Sequence, residues 1–340
     1  MKIFIEGPYW AGRWTEIIAD SLRQTGHRVG VSYHNRKTLQ DRLVLASKTL
    51  LPGANRKTVW RERHRRQLLE AMSHDHWDVL LSIQGTMDQQ TVAQCRQHSP
   101  GLRVFFWWGN ILTGQAQARI SQAAEFSEQL LVSGKGTFDR LSPVYPEQLR
   151  YFPFGVSRRF HRVDNISARD RQRFSARVAF VGTCYPARCE LIRYLNTQLD
   201  TPVRVWGRGW RHCKGVRSHG ALSLADSLKV HACSSISLNL HHPDTDNGCN
   251  MKFYEIPATG GFQICDWQPL LEETALGRQT SACRSHTEFA EKIHHYLAHE
   301  QERRQIVAAA TSHTVFSTES YPSKLAELFN DPSCKPTEST

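Results

Sequence analysis

The chain has 340 residues, 40% of them hydrophobic and 22% charged, which is enough apolar material for two packed domains and too much for a globally disordered chain. No apolar run approaches the roughly 18–20 residues of a membrane-spanning helix, and the opening "MKIFIEGPYW" is too short and too acidic for a secretory signal. The net charge of +11 is spread over both halves and favours anionic partners, whether nucleotides, phosphorylated acceptors, anionic lipid or nucleic acid, without choosing among them.

"KIFIEG" (2–7) predicts a first strand, and 14–29 a helix with Ile17, Ile18 and Leu22 on one face and Gly26 as its stop. Strands follow at 28–33, 78–83 (after a helix from His64), 103–110 and 128–134. This alternation predicts a parallel sheet covered by helices. From 149 the pattern breaks into polar and basic sequence, read as a linker over 156–176. A second alternation then begins, with strands at 177–182, 202–207, 235–241 and 262–266. Helices are predicted at 187–199, 224–234, from 251, and over most of 286–311. The predicted organisation is an N-terminal domain 1–155, the linker 156–176, a second domain 177–318, a final helix 319–331 and a polar tail 332–340.

Nine cysteines, an odd number without a Cys-x-x-Cys pair, predict reduced thiols in a cytoplasmic protein rather than disulfides or structural zinc. The basic charge also suits peripheral association with the inner membrane face. The densest basic runs, 56–66 and Arg158 to Arg177, read as a solvated helix face and as linker.

In open parallel sheets ligands gather beyond the carboxyl ends of the strands. In the first half those ends carry Glu6, Gly7, Trp10 and Gly12, then Gly85 and Asp88, then Trp108 and Asn110. They form a candidate acceptor side, with Asp88 and Glu6 as candidate bases. No Walker loop or Gly-x-Gly-x-x-Gly is present. In the second half, "FVGTCYPAR" places Gly182 and Thr183 before a helix start bearing Arg188. "WGRGW" supplies Gly207 and Arg208, and "HGAL" supplies His219 and Gly220. "NMKFYEIPATGGFQICD" (250–266) opens a helix on Asn250, Met251 and Lys252, where backbone donors and a cation can face a diphosphate. Glu255, one turn on, can accept from a ribose diol.

These stretches, with "SISLNLHHP" and "YLAHEQERRQIV", resemble the spore-maturation, CgeB-like glycosyltransferases of the GT-B class over most of 177–325. The resemblance implies an α/β fold of two Rossmann-like domains facing a cleft, and a last helix returning to the first domain. It also implies a hexosyltransferase that needs no resident cofactor or metal. The donor would be a UDP-, GDP- or ADP-sugar; the acceptor hydroxyl would be that of a glycan, a small molecule, a protein or a lipid-linked group. Glu255 matches the family's ribose-binding glutamate, Asn250 and Lys252 its Asn-x-Arg phosphate loop, and Gly182 and Thr183 the loop after the first donor-domain strand. Lys252 and Arg188 would meet the leaving diphosphate, and configuration would be retained. The sequence departs from the family in having lysine at 252, "GRQ" (277–279) for Gly-x-Glu, and lysine in "YPSKL". A DNA glucosyltransferase of the same fold and a non-catalytic nucleotide-sugar-binding protein are the alternatives.

Overall fold

A computed structural model describes residues 1–10, 13–48, 55–109, 112–311, 316–317 and 319–330. Two units result: 1–153 together with 325–340, and 154–324. The first contains β1 (Lys2–Gly7), β2 (Arg28–Tyr33), β3 (Val79–Ile83), β4 (Arg103–Trp108), β5 (Gln129–Val132) and β6 (Leu149–Tyr151). Their order in the sheet is β2-β1-β3-β4-β5-β6, all parallel. The second contains β7 (Val178–Val181), β8 (Arg204–Trp206), β9 (Ile236–Asn239), β10 (Gln263–Asp266) and β11 (Ser281–Cys283), in the parallel order β11-β10-β9-β7-β8.

The strands are apolar runs because helices cover both faces of a parallel sheet. All five residues of β3 and all four of β7 and β9 are buried. Phe4, Leu80, Val104 and Phe106 pack with Leu68 and Met72 of the Arg56–Ser73 helix in the first unit. Phe180, Val205, Leu238 and Ile264 pack with Ile192, Leu195 and Ile293 in the second. In each sheet the chain reverses its order of strand addition once, between β1 and β3 and between β7 and β9. Ligand sites of doubly wound sheets lie at such switch points.

Several expectations need correction. The 156–176 stretch, read as a linker, carries short helices at Arg158–His161 and Ala168–Phe174, the latter opened by a Ser167–Asp170 capping box, and falls in the second unit. The 286–311 helix is two helices, His286–Ala298 and Glu300–Ala310, hinged at His299. The first helix ends at Gln24 and not at 29, and Gly26, with φ +84°, is the stop that the sequence predicts. The final helix runs Tyr321–Asn330; from Leu325 on its residues belong to the first unit, where Phe329 stacks on Phe105 at 5.6 Å.

The expectation of reduced thiols throughout is also overturned, because Cys189 and Cys213 form a disulfide with 5.7 Å between their Cα atoms. They are 24 residues apart. The pairing arises where the Pro186–Gln198 helix packs against the turn after Trp210, a contact that no local spacing signals. Among the described residues no helix is long and apolar enough to cross a membrane.

Candidate functional site

The switch point of the second sheet is held together by Arg188. Its guanidinium donates to the Thr183 carbonyl beyond β7 at 3.0 Å and to the Leu240 carbonyl beyond β9. It also lies over the Tyr185 ring, 4.7 Å from the centroid. Arg188 therefore joins the two loops that flank the switch point, and two of its donors are committed to backbone. Burial lowers its pKa, and its Nε has no hydrogen-bond partner.

Gly182 and Gly207 bring the loops after β7 and β8 into backbone contact. Gly182 N–H donates to Trp206 O at 2.9 Å, and its carbonyl accepts from Trp210 Nε1 at 2.8 Å. Gly207 has φ +143°, and a Cβ there would stand 1.9 Å from Gly182 O, so only glycine fits. Arg208 O accepts from Cys184 N–H at 2.9 Å, Gly207 N–H donates to Gly220 O at 2.8 Å, and the His219 ring packs on Trp206. Gly182, Thr183, Gly207, Arg208, His219 and Gly220 thus share one loop cluster beyond β7 and β8.

The helix Met251–Ala258 starts at Asn250, whose Oδ1 accepts from Phe253 N–H at 3.1 Å. Its amide is locked from behind: Nδ2 donates to Asn239 Oδ1 at 2.9 Å, Asn239 is 3.4 Å from Gln263 Oε1, and Gln263 donates to Phe253 O at 2.9 Å. Asn250 is therefore a cap that fixes the start of the helix, where Met251 and Lys252 are the first two residues. Lys252 has no hydrogen-bond or ion-pair partner among the described residues. Burial lowers its pKa; Glu255 opposes that shift and Arg188 adds to it. A buried cation that makes no direct ion pair and has Arg188 nearby as well as Glu255 is suited to an arriving anion.

Glu255 is 6% exposed. Burial alone would raise its pKa, but His161, Lys252 and His231 together hold it below the ordinary value. His161 is fully buried, and its Nδ1 accepts from Ser157 N–H at 2.9 Å, so the hydrogen sits on Nε2, which faces Glu255 Oε1 at 3.8 Å. That separation is too long for a hydrogen bond, and Nε2 has no other partner. His231, also buried, contacts Ser237 Oγ at 3.0 Å; burial, with Lys252 reinforcing it, pulls its pKa down to about 3. It is neutral at physiological pH. Beside this group His241 Nδ1 pairs with Asp266 at 2.9 Å, and both line a cavity of about 260 Å³ with Arg188 and Gln268.

The first sheet's switch point holds Glu6, which is fully buried. Its Oε2 accepts from Ser82 Oγ at 2.7 Å; its Oε1 lies 3.2 Å from His34 Nδ1 and 3.3 Å from His64 Nε2. A Cβ on Gly85 would be 1.9 Å from Glu6 Oε2, so glycine there admits the carboxylate. Burial raises the Glu6 pKa, yet the two histidines outweigh it and hold the group well below the carboxylate range. Its stabilising contribution is therefore complete above the unfolded value of about 4.3 and is lost as pH falls below that. Glu6→Gln is expected to be less stable at neutral pH and to lose less stability between about pH 6 and pH 3. Urea unfolding of both proteins across that range checks it; parallel acid limbs would contradict the assignment.

Among the other acceptor-side expectations, Asp88 caps the Gln89–His98 helix, its Oδ1 accepting from Thr91 N–H at 2.8 Å and Oγ at 2.7 Å. Gly7 abuts Thr15, Trp10 stacks on Trp14 at 6.0 Å, and Trp108 is partly buried against Phe106. Gly12 and Asn110 lie outside the described residues. Sequence reasoning missed His34, His64, His161 and His231. Histidines 64 and 161 sit in the two basic runs read as solvated, and a lone histidine carries no local signal of burial.

Residues 188–330 match a family described as glycosyl transferase-like. No curated protein sequence matches the chain. Among solved structures, Anabaena HepE in complex with UDP and glucose is 12% identical with a TM-score of 0.63, over 97% of this chain and 98% of that one. AviGT4, a glycosyltransferase involved in avilamycin A biosynthesis, is 13% identical with a TM-score of 0.59, over 97% and 98%. T4 phage β-glucosyltransferase is 9% identical with a TM-score of 0.55, over 96% and 99%. The fold is the GT-B glycosyltransferase fold of two Rossmann-like domains.

Proposed function

We propose that this chain is a glycosyltransferase that takes a hexose from a nucleoside-diphosphate sugar, with the donor on the second unit. The observation that carries the reading is the unpartnered Lys252 at a helix start, one turn ahead of a buried, ionised Glu255, on a sheet switch point. The diphosphate lies on the helix start and Lys252; Glu255 accepts from the ribose hydroxyls; Asn250 and Arg188 position the loops. UDP is the first candidate nucleotide because HepE binds it. Glycosyl transfer breaks the bond from the anomeric carbon to the phosphate oxygen and forms one to the acceptor oxygen. Negative charge grows on the leaving diphosphate, and a fixed cation stabilises it most at the transition state. A thermal-shift screen over nucleoside diphosphates and their sugars tests this, since a ligand at 100 times its Kd adds ~2.7 kcal/mol. No shift with any of them would overturn the reading.

Metal-independent transfer, with retention by analogy to the resembled family, belongs to the same proposal, because Lys252 and the helix start supply the positive charge that a metal would bring. Turnover is expected to be unchanged in EDTA. Loss in EDTA restored by Mg²⁺ or Mn²⁺ would contradict it.

On the acceptor side, His64 is better placed than Glu6 or Asp88 to take a proton. Glu6 is sealed from solvent, and Asp88 Oδ1 holds its helix cap. His64 is oriented through Nε2 by Glu6, lines a surface cavity with Thr86 and Arg61, and makes no hydrogen bond through Nδ1 among the described residues. General-base loss costs typically 10²–10⁴-fold. His64→Gln is expected to slow transfer by about 10²-fold with unchanged nucleotide affinity; parent-like turnover would remove it from the reaction.

A DNA acceptor is the second reading, favoured by the basic Arg56–Ser73 helix and the likeness to the T4 phage enzyme. It requires a steep fall of activity with salt, which a neutral glycan acceptor does not.

A further inference from the structure

We propose that His295, His299 and Glu302 form a binding site for a divalent transition-metal ion of the Zn²⁺ class, clamping the corner between the His286–Ala298 and Glu300–Ala310 helices. One ligand atom from each residue lies within 4.8 Å of the other two. His295 is in the last turn of the first helix, His299 is the joint with φ −111° and ψ 68°, and Glu302 is in the first turn of the second helix. The ligands thus come from both sides of the hinge, and an ion bound there fixes its angle.

The hydrogen bonds already have the pattern a metal site needs. His299 Nδ1 is 2.7 Å from the His295 carbonyl. A carbonyl only accepts, so Nδ1 carries the hydrogen and Nε2 keeps its lone pair for a ligand. A backbone carbonyl on the non-ligating nitrogen is the support that metal-bound histidines carry. His295 Nε2 donates to Glu302 Oε2 at 2.8 Å, so the two ligand atoms already converge, and a bound ion would take the place of that hydrogen and release a proton. The two imidazole rings are stacked, with centroids 4.2 Å apart at 21°. Tetrahedral bonds of ~2.1 Å place ligand atoms about 3.4 Å apart, within reach of small side-chain rotations here. His295 and Glu302 are 47% and 44% exposed, so an ion enters freely and water completes its coordination.

Two imidazole nitrogens and one carboxylate oxygen suit Zn²⁺, Co²⁺, Ni²⁺ or Cu²⁺; a hard cation such as Ca²⁺ takes six to eight oxygens. The site is at the far end of the helix whose first turn borders the Asp266 cavity, about 15–20 Å along its axis. The inference does not depend on the nucleotide-sugar reading.

The rival ligand set among the described residues is Cys184 with Cys189 and Cys213, and the disulfide removes two of those sulfurs. The test therefore uses the full chain, oxidised and metal-stripped, titrated with ZnCl₂ by calorimetry and with CoCl₂ by visible absorption. One equivalent should bind, and the Co²⁺ spectrum should show d–d bands without a thiolate charge-transfer band. His295→Ala and His299→Ala should each weaken Zn²⁺ binding ~10–100-fold, with circular dichroism unchanged. Absence of saturable binding, a thiolate band, or affinity unchanged in both variants would overturn the site.

Discussion

Lys252→Ala is expected to lower kcat on the order of 10²-fold while the donor KM moves much less. Lys252 is the second residue of the Met251–Ala258 helix, whose start is fixed by the Asn250–Asn239–Gln263 amide chain. Burial works against the ammonium's charge, Glu255 favours it and Arg188 opposes it, and it has no direct ion-pair partner among the described residues. The diphosphate gains negative charge as the glycosidic bond breaks, so the cation contributes more at the transition state than to ground-state binding. Lys252→Arg should retain much of the activity, since both side chains place a cation there, although a planar fork replaces a point charge. A surface lysine serving only solubility would leave the alanine variant at the parent rate. Steady-state kinetics on the two variants, with circular dichroism to confirm folding, separates these outcomes.

Glu255→Ala is expected to weaken nucleotide binding by roughly 1.5–3 kcal/mol, about 10- to 150-fold, through loss of a charged acceptor for the ribose hydroxyls. The carboxylate faces His161 Nε2 without a true hydrogen bond at 3.8 Å, so its accepting capacity is not saturated by the protein. Glu255→Gln is the companion variant: it keeps the shape beside His161 and removes the charge, and it should fall between parent and alanine. Calorimetric titration with UDP reads both. Unchanged affinity in the alanine variant would take Glu255 out of the ribose contact, leaving it a buried partner of His161.

The legibility of the site followed how its parts are strung along the chain. Asn250, Lys252 and Glu255 lie within six residues, and a helix start plus a carboxylate one turn on is readable from spacing. The groups that hold them come from elsewhere: His161 from a short helix before β7, His231 from the Leu224–Cys233 helix, Asn239 and Gln263 from neighbouring strands. Only the parallel pairing of β9 with β10 brings that amide chain together. The long apolar strands read well because continuous burial leaves a continuous apolar signal. β11, three residues of Ser-Ala-Cys, has no such run and is specified by its neighbour β10. The Cys189–Cys213 bond, like the Glu6–His34–His64 group, is a product of tertiary packing between distant segments.

Binding of a nucleoside-diphosphate sugar by the second unit is read by calorimetric titration of the full chain with UDP-glucose. Saturable 1:1 binding without added metal is expected, displaced by UDP and weakened by Glu255→Ala. No heat and no thermal stabilisation with UDP-, GDP- or ADP-sugars at millimolar concentration would contradict it.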